Sequence, residues 1–245
     1  MFIGVGTVIN VAVITVGSLL GILIGHRFPQ RTRTLVTQVL GLFTMVIAAT
    51  SISSGMSAAF AAQVGTNARM LIILGALLIG GIAGSLVRLE DRIDSAAERL
   101  REKVASRTSS STFVEGAVTS TLVFCVGPLA ILGSLSDGLG DGIQQLLVKS
   151  VMDGFAAIAF ASSFGVGVLV SILPLAIYQG IWTLVGVLAG NVLSQGEIDA
   201  LSATGGVILL GLGIRLLGVL RIPVGDLLPA LFLAPLLTLA VGSFM

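Results

Sequence analysis

The chain has 245 residues, of which 55% are hydrophobic and only 10% are charged, and its mean hydropathy is +1.09. Soluble domains carry roughly 25% charged residues, so this composition excludes a water-soluble globular protein. At roughly 20 apolar residues per span, the length accommodates seven or eight transmembrane helices and no separate soluble domain. The net charge of +1 provides no general attraction to nucleic acid, so no nucleic-acid partner is expected.

Apolar runs separated by polar breaks predict an all-α bundle of about eight spans, which forms a single integral membrane domain over residues 1–245. The predicted spans are, in chain order, 2–25, 35–60, 68–87, 113–135, 144–165, 168–193, 203–219 and 225–244. No polar loop separates the fifth span from the sixth. Their combined length nevertheless requires two crossings, since about 20 helical residues suffice for one. Gly165, Gly167 and Pro174 offer places to turn, and the exact turn stays open.

The distribution of basic residues predicts the orientation of these spans. Eleven of the thirteen fall on one side of an eight-span chain: Arg27, Arg31, Arg33, Arg88, Arg92, Arg99, Arg101, Lys103, Arg107, Arg215 and Arg221. Arg69 and Lys149 fall on the other side. Because cytoplasmic loops are enriched in Lys and Arg, we expect both termini to lie outside.

Residues 88–112 form the one sizeable polar segment, which is predicted to be a cytoplasmic amphipathic connector. Within 88–107, apolar residues recur at three- and four-residue steps: Leu89, Ile93, Ala96, Ala97, Leu100 and Val104. This period is typical of a helix that lies along the membrane surface. Such a helix is either a solvated connector or a docking surface.

Glycine spacing predicts an inverted repeat, in which spans one and two correspond to spans six and seven. Intervals of 4 and 16 residues separate the glycines of each copy: Gly21, Gly25 and Gly41, then Gly186, Gly190 and Gly206. Inverted repeats are typical of secondary transporters, which bind substrate at the repeat interface. Coincidence is the alternative in a chain with 32 glycines. Glycine-rich helix faces also favour a homodimer.

Asp153 is the strongest candidate for a functional residue. An acidic side chain in mid-membrane costs about 2.5–3.5 kcal/mol on insertion scales, so it normally faces a cavity or a partner. Lys149 lies four residues earlier on the same helix face, with Ser150 beside it. Asp153 therefore either binds an ion or substrate on a transport pathway, or forms a structural ion pair with Lys149.

The Gly127-Pro128 pair in the middle of span four predicts a broken helix. Proline removes an amide donor and clashes with the carbonyl four residues earlier. Within a membrane, such a break is tolerated only where protein or water satisfies the freed groups. Freed carbonyls, together with Thr121 and Cys125, are candidate ligands for a cation. The alternative is a kink that only shapes packing.

Five further residues are weaker candidates. Asn10 and Gln179 are lone amides in spans one and six, where such groups join helices more often than they bind ligands. Glu115, Arg215 and Asp226 fall near the inner membrane face, as an inner gate or as interfacial anchors. Asp137 and Asp141 follow span four and are interpreted as parts of a plain turn on the outer side of the membrane.

No enzyme activity and no cofactor are expected. Cys125 is the only cysteine and His26 the only histidine, which excludes a multi-cysteine or multi-histidine metal site and a catalytic triad. The carboxylate of Asp153 is the one candidate metal ligand.

Several stretches together resemble the YqgA-like family of bacterial inner-membrane proteins, whose function is not established. They are residues 17–31, 124–134, 149–158, 205–213 and 227–231. The resemblance covers nearly the whole chain and implies a prokaryotic plasma membrane, but no substrate.

A more distant resemblance is to the second half of bacterial manganese exporters of the lysine-exporter superfamily. In those proteins a Ser-x-x-Asp-Ala motif in each inverted half supplies metal-binding carboxylates. The second copy corresponds to Ser150 and Asp153, with Gly154 in place of the alanine. The first copy is missing, because spans one to three contain no acidic residue. A single carboxylate is a poor divalent-metal site.

These observations predict a small membrane transporter or channel for an ion or a small solute. Asp153 would bind the substrate or coupling ion beside the broken span four. The alternative is a non-transporting membrane scaffold or sensor that acts through the 88–107 helix.

Overall fold

The computed structural model describes residues 2–25, 29–95, 110–125, 128–140, 142–189 and 193–244, which contain helices and no β-strand. The helices are α1 (Val5–Gly25), α2 (Gln30–Gly55), α3 (Ala58–Val64), α4 (Ala68–Leu86), α5 (Ser110–Cys125), α6 (Pro128–Leu139), α7 (Gln144–Phe164), α8 (Ile172–Ala189), α9 (Gln195–Leu216) and α10 (Pro229–Gly242). Two 3₁₀ turns, Gly165–Ser171 and Val224–Leu227, precede α8 and α10. The predicted all-α class is confirmed.

Six stretches of the described chain are long and apolar enough to cross a membrane: Val5–Gly25, Thr34–Gly55, Ala68–Leu86, Gln144–Leu188, Gln195–Leu216 and Val224–Gly242. A seventh is obtained if α5 and α6 are counted as one bent span. Large apolar side chains cover their outer faces, as at Leu71 and Phe155, which are 68% and 71% exposed. A bilayer accommodates such faces, whereas water does not. The count of eight spans is not confirmed and stays a prediction.

The Gln144–Leu188 stretch doubles back on itself. Its 45 residues would extend about 68 Å as one helix, roughly twice the thickness of a bilayer core. Leu146 near its start and Gly186 near its end both pack against α6. The reversal begins at Gly165, whose φ of +68° lies in the left-handed region that glycine tolerates. The stretch therefore contains two oppositely directed helices, α7 and α8.

Two predicted helix boundaries were wrong. The seventh span was predicted to begin at residue 203, but α9 begins at Gln195, because Ser194 and Glu197 form a capping box. The Glu197 carboxylate accepts from the Ser194 amide at 2.8 Å. The second span was predicted to reach residue 60, but α2 ends at Gly55 and Ser57 caps the separate helix α3. Local capping, which hydropathy does not reveal, determines these ends.

The chain divides into two compact units, each assembled from distant parts of the sequence. The first unit contains residues 1–40, 94–125 and 129–192, and the second contains 41–93, 126–128 and 193–245. The first unit therefore holds α1, α5, α6, α7 and α8. The second holds the later part of α2 together with α3, α4, α9 and α10.

In the first unit, α1 and α7 run in the same direction and touch backbone to backbone. Gly17 lies against the carbonyl of Gly154, and Gly21 lies against the carbonyl of Ile158, so closely that a side chain at either glycine would clash. Small residues permit this approach, which provides much of the attraction between helices in lipid.

In the second unit, α2 and α9 run in opposite directions with similar contacts. Gly206 packs on the backbone near Ala48, and Gly213 packs on Gly41. Gly80 of α4 packs in the same way against the backbone of α10. A buried apolar cluster that includes Phe60 completes the core of this unit.

The predicted inverted repeat is not confirmed. Gly190 lies outside the described residues, and the other five glycines of the two copies all lie at close helix contacts: Gly21, Gly25, Gly41, Gly186 and Gly206. Packing alone accounts for a glycine at each of these positions. The repeat therefore stays a prediction.

Part of the predicted connector is described. Residues 89–95 are helical and residues 110–112 open α5, whereas residues 96–109 lie outside the described part of the chain. The amphipathic helix over 88–107 therefore stays a prediction.

Candidate functional site

Asp153 lies on α7 and points toward α1, where two side chains donate to its carboxylate. Oδ2 of Asp153 accepts from Nζ of Lys149 at 2.7 Å and from Nδ2 of Asn10 at 3.1 Å. Lys149 and Asp153 are 7% and 6% exposed, and Asn10 is completely buried. The structure thus brings together three of the predicted site residues. The helical spacing joins Lys149 to Asp153, but only the packing of α1 on α7 adds Asn10.

The close contact between these two helices explains how Asn10 reaches the ion pair. Gly154, next to Asp153, has no side chain and accepts a methyl group of Val13 in the space where a Cβ would lie. Val13 is one turn after Asn10 on α1, so the same contact brings the amide of Asn10 within hydrogen-bonding distance of Asp153. The cluster therefore depends on glycine at position 154.

The pair is electrically balanced. Lys149 contributes one positive charge and Asp153 one negative charge at 2.7 Å, and both are withdrawn from solvent. Removing one partner of a buried pair leaves an uncompensated charge, which typically costs about 3–5 kcal/mol. The carboxylate of Asp153 is therefore not an open cation ligand.

The helix of span four is broken where the Gly-Pro pair predicts a break. The segment ends at Cys125 and resumes at Pro128, and the two parts are bent by 59°. Gly127 lies outside the described residues. The end of α5 packs against α7, where the rings of Phe124 and Phe160 meet edge to face with their centroids 6.2 Å apart.

Two predicted ligands of this region use their hydroxyl groups within their own helices. Thr121 donates to the carbonyl of Ala117 at 2.7 Å, and Ser150 donates to the carbonyl of Leu146 at 2.6 Å. Such bonds satisfy a hydroxyl inside an apolar bundle. The hydroxyl proton of each residue is therefore already hydrogen-bonded without a ligand.

The first unit contains buried polar atoms without a hydrogen-bond partner in the described part of the chain. They are Oγ1 of Thr7, Oδ1 of Asn10, Oγ of Ser18, Oγ of Ser163, Nε2 and Oε1 of Gln179, and Oγ1 of Thr183. Leaving such a group unpaired costs about 1–3 kcal/mol, so buried polar atoms are normally bonded to protein or water. These atoms are where water or a ligand would bind.

Gln179 is the extreme case. It is completely buried on α8, and neither atom of its carboxamide has a hydrogen-bond partner among the described residues. The sequence favoured a role in joining helices, but an amide that joins helices would bond to one of them. Nothing in the sequence near Gln179 distinguishes these two situations.

Gln179 and Asn10 lie at the same depth in the first unit. The carbonyl of Thr183 packs against the last turn of α6, and the amide of Gly6 donates to Asp137 in that same turn at 3.0 Å. Gln179 on α8 and Asn10 on α1 each lie one helical turn farther from the last turn of α6. Since α1 and α8 pack against each other, we infer from these contacts that the unpaired amide of Gln179 lies in the same layer as the Asp153 cluster.

Asp137 has a structural role that the sequence did not reveal. The residue is 4% exposed, and its two carboxylate oxygens accept from the amides of Gly4 at 3.1 Å and Gly6 at 3.0 Å. It therefore caps the N-terminus of α1, where the helix dipole favours a negative charge. The interpretation of Asp137 as part of a plain turn was wrong, because the residue belongs to α6, and Asp141 lies outside the described residues.

The predicted inner cluster is organised around Glu90, which was not among the candidates. Arg215 forms a salt bridge with Glu90 at 2.5 Å. The amide of Gly225 donates to the Glu90 carboxylate at 2.7 Å, and Asp226 accepts from the Glu90 amide at 2.9 Å. These contacts, all in the second unit, tie the start of the 89–95 helix to α9 and to the turn before α10. Glu115 belongs to the first unit.

The second unit contains another polar cluster, which the sequence did not predict because its members fall in two predicted spans and in the segment between two others. Asp199 accepts from the hydroxyl of Ser57 and from Nε2 of Gln195, the latter at 2.8 Å. Arg69 donates to the carbonyls of Met56 at 2.7 Å and Ser57 at 3.0 Å. These bonds join the ends of α2, α3 and α9, so the cluster is a structural junction.

Among the described residues, no group of three or more His, Cys, Asp or Glu side chains is arranged to hold a metal ion. Asp153 is bonded to an amine and an amide instead of standing beside other carboxylates. Oxygen-rich coordination of a divalent metal has no counterpart in this cluster.

Comparison with known proteins gives a family but no activity. Residues 5–239 match the family model described as "Protein of unknown function (DUF554)". The chain is 26% identical over 239 residues to "Uncharacterized membrane protein YdfK" of Bacillus subtilis (strain 168), which covers 98% of this chain and 97% of the relative. It is 28% identical over 233 residues to "Uncharacterized protein YqgA" of Escherichia coli (strain K12), with 94% of each chain covered. No solved structure matches.

The family match extends over nearly the whole chain, and one of the relatives is the protein after which the predicted family is named. The resemblance drawn from the sequence is thereby confirmed. The chain belongs to the DUF554 family, whose function is not established.

Proposed function

We propose that the protein is a small membrane transporter or channel for an ion or a small solute, which binds beside Asp153 in the first unit. The observation that carries the proposal is the buried cluster of Lys149, Asp153 and Asn10 in a layer with unpaired polar atoms. Charged and polar groups are rare inside transmembrane helices, and they normally mark the path of a substrate or an ion. The proposal includes no catalytic step.

The incomplete bonding distinguishes this cluster from a purely structural one. If the ion pair only stabilised the bundle, the polar atoms around it would be expected to have hydrogen-bond partners, since each unpaired polar group costs folding free energy. Here Asn10 donates to Asp153 while its own oxygen stays unbonded, and both atoms of Gln179 are unbonded. A polar solute in this layer would bond to these atoms and offset that cost.

The break between α5 and α6 supports the same location. A broken helix in a membrane exposes backbone groups that need protein or water around them. The end of α5 also packs against α7, with the rings of Phe124 and Phe160 in edge-to-face contact. We therefore place the binding region between the end of α5, α7 and α1, all of which belong to the first unit.

Proteoliposomes provide the test. Vesicles with and without the protein are shocked with KCl, NaCl, glycine, urea or glycerol, and re-swelling is followed by light scattering. We expect the protein to accelerate re-swelling with at least one solute, and Asp153→Asn to slow it severalfold. Asp199→Asn is the matched control, because Asp199 is equally buried but lies in the second unit. Equal rates for wild type and Asp153→Asn would remove Asp153 from the mechanism.

The proposal includes eight crossings in a prokaryotic plasma membrane, with both termini outside, and a homodimer. The reversal between α7 and α8 and the one-sided distribution of basic residues support this topology. Cys125→Ser removes the only cysteine, after which single cysteines can be introduced. A membrane-impermeant maleimide should then label Phe2→Cys and Phe244→Cys in intact cells and leave Ser95→Cys unlabelled. Labelling of only one terminus would overturn the topology.

A second candidate is a non-transporting scaffold or sensor that acts through the 88–107 helix. The observation in its favour is the attachment of Glu90 to Arg215, Gly225 and Asp226, which would transmit a displacement of this helix to α9 and α10. A scaffold predicts no acceleration of re-swelling by any solute. In a scaffold, the substitution Asp153→Asn would change only the stability of the folded protein.

A further inference from the structure

The charged side chains in the interior of the first unit are already paired. Lys149 and Asp153 neutralise each other at 2.7 Å. Asp137 is occupied by the amides of Gly4 and Gly6, at the positive end of the dipole of α1. An entering ion would therefore find these charges compensated.

The unpaired atoms, by contrast, are all uncharged and include both donors and acceptors. Gln179 presents two donor hydrogens and a carbonyl oxygen, and Asn10 presents an acceptor oxygen in the same layer. One helical turn nearer the start of α1 and the end of α8, Thr7 and Thr183 present hydroxyl groups that both donate and accept. The pattern matches a solute with donors and acceptors of its own.

The cost of dehydration favours an uncharged solute over an ion. An ion that enters an apolar interior loses several kcal/mol of hydration, which only a nearby counter-charge or a complete set of oxygen ligands restores. An uncharged solute loses far less, and each hydrogen bond to an otherwise unpaired group returns about 0.5–1.5 kcal/mol. The described atoms provide such bonds and no free charge.

We propose that the solute of this site is a small uncharged molecule that both donates and accepts hydrogen bonds, of the chemical class of amides and polyols. The carboxamide of Gln179 recognises it, and the oxygen of Asn10 and the hydroxyls of Thr7 and Thr183 assist. The Lys149–Asp153 pair holds Asn10 in place instead of binding an ion. This inference rests on the proposed transport function and names the class of its substrate.

The test uses urea, acetamide and glycerol as uncharged probes and KCl and NaCl as ionic probes, at equal osmolarity, in the proteoliposome assay. We expect faster re-swelling than in protein-free vesicles with at least urea or acetamide, and none with the salts. Gln179→Leu should abolish this acceleration, and the shorter amide of Gln179→Asn should retain part of it. The matched control is Gln145→Leu, which changes an exposed glutamine on α7.

Stability separates loss of binding from loss of folding. Gln179→Leu removes two unpaired buried polar atoms and fills their volume with an apolar side chain, so it should unfold at the same temperature as wild type or higher. A folded Gln179→Leu protein that still accelerates urea and acetamide re-swelling at the wild-type rate would overturn the role of Gln179.

The remaining outcomes distinguish this inference from the function beneath it. Acceleration with KCl or NaCl but with no uncharged probe would overturn the uncharged substrate and leave the transport function standing. No acceleration with any of the five probes would count against both.

Discussion

In the described part of the second unit, the buried or half-buried charged groups Asp199, Glu197 and Arg69 are hydrogen-bonded. Asp199 accepts from two side chains, Glu197 closes the capping box of α9, and Arg69 donates to two backbone carbonyls next to the start of α3. Oγ1 of Thr204 is the one buried polar side-chain atom of the described part of this unit without a hydrogen-bond partner. The described part of the first unit, of similar helical construction, has seven such atoms.

This difference separates two uses of polar residues inside a membrane protein. In the second unit they close helix ends and hold helices together, and little bonding capacity is left over. In the first unit the carboxamide of Gln179 and the hydroxyls of Thr7 and Thr183 cost stability and return no bond. Polar groups of that kind are what a binding site provides, so we infer that the first unit carries the function and the second unit is mainly structural.

The largest expected effect breaks the ion pair of the first unit. Lys149→Met or Asp153→Leu alone should lower the free energy of unfolding by about 3–5 kcal/mol, because each leaves a buried charge without its partner. The double variant should recover most of this loss, since both charges are gone. Thermal unfolding of the four proteins in detergent measures the coupling. A double variant as unstable as the sum of the singles would show that the two residues do not form a pair.

A smaller effect compares the helix caps of the two units. Asp137→Ala and Ser194→Ala should each lower the free energy of unfolding by about 0.5–2 kcal/mol, the usual range for loss of an N-cap. Only Asp137→Ala also detaches α1 from α6, because that cap acts between distant segments. Hydrogen exchange should therefore accelerate at Gly4 and Gly6 in Asp137→Ala, whereas Ser194→Ala should leave them unchanged. Equal exchange in both variants would argue against the Asp137 cap.

The smallest effect uses one isosteric change in each unit. Thr183→Val and Thr204→Val both remove an unpaired buried hydroxyl, so each should raise the unfolding temperature slightly or leave it unchanged. We expect only Thr183→Val to slow urea re-swelling in proteoliposomes. If Thr204→Val slowed it equally, the assignment of function to the first unit alone would fail.

Local sequence patterns predicted much of the helical framework. Apolar runs of about 20 residues locate membrane-spanning helices, since a helix satisfies its own backbone in lipid. The break after Cys125 follows from the steric properties of Pro128. The spacing of Lys149 and Asp153 is enough to make them a pair, because residues four apart lie on one helix face. Hydropathy does not reveal capping, so the predicted seventh span begins eight residues after the true start of α9, where the acidic residues Glu197 and Asp199 lower the local hydropathy.

The sequence by itself thus determined that the chain is a bundle of membrane-spanning helices, that span four is distorted at Pro128 and that Lys149 and Asp153 share one helix face. Both are consequences of short-range geometry. Only the tertiary structure decided that Asn10 joins the pair from 143 residues away and that Asp137 caps α1. It also decided that Gln179 is buried without a partner. These facts depend on which helices pack together and at what depth, and no local pattern encodes that choice.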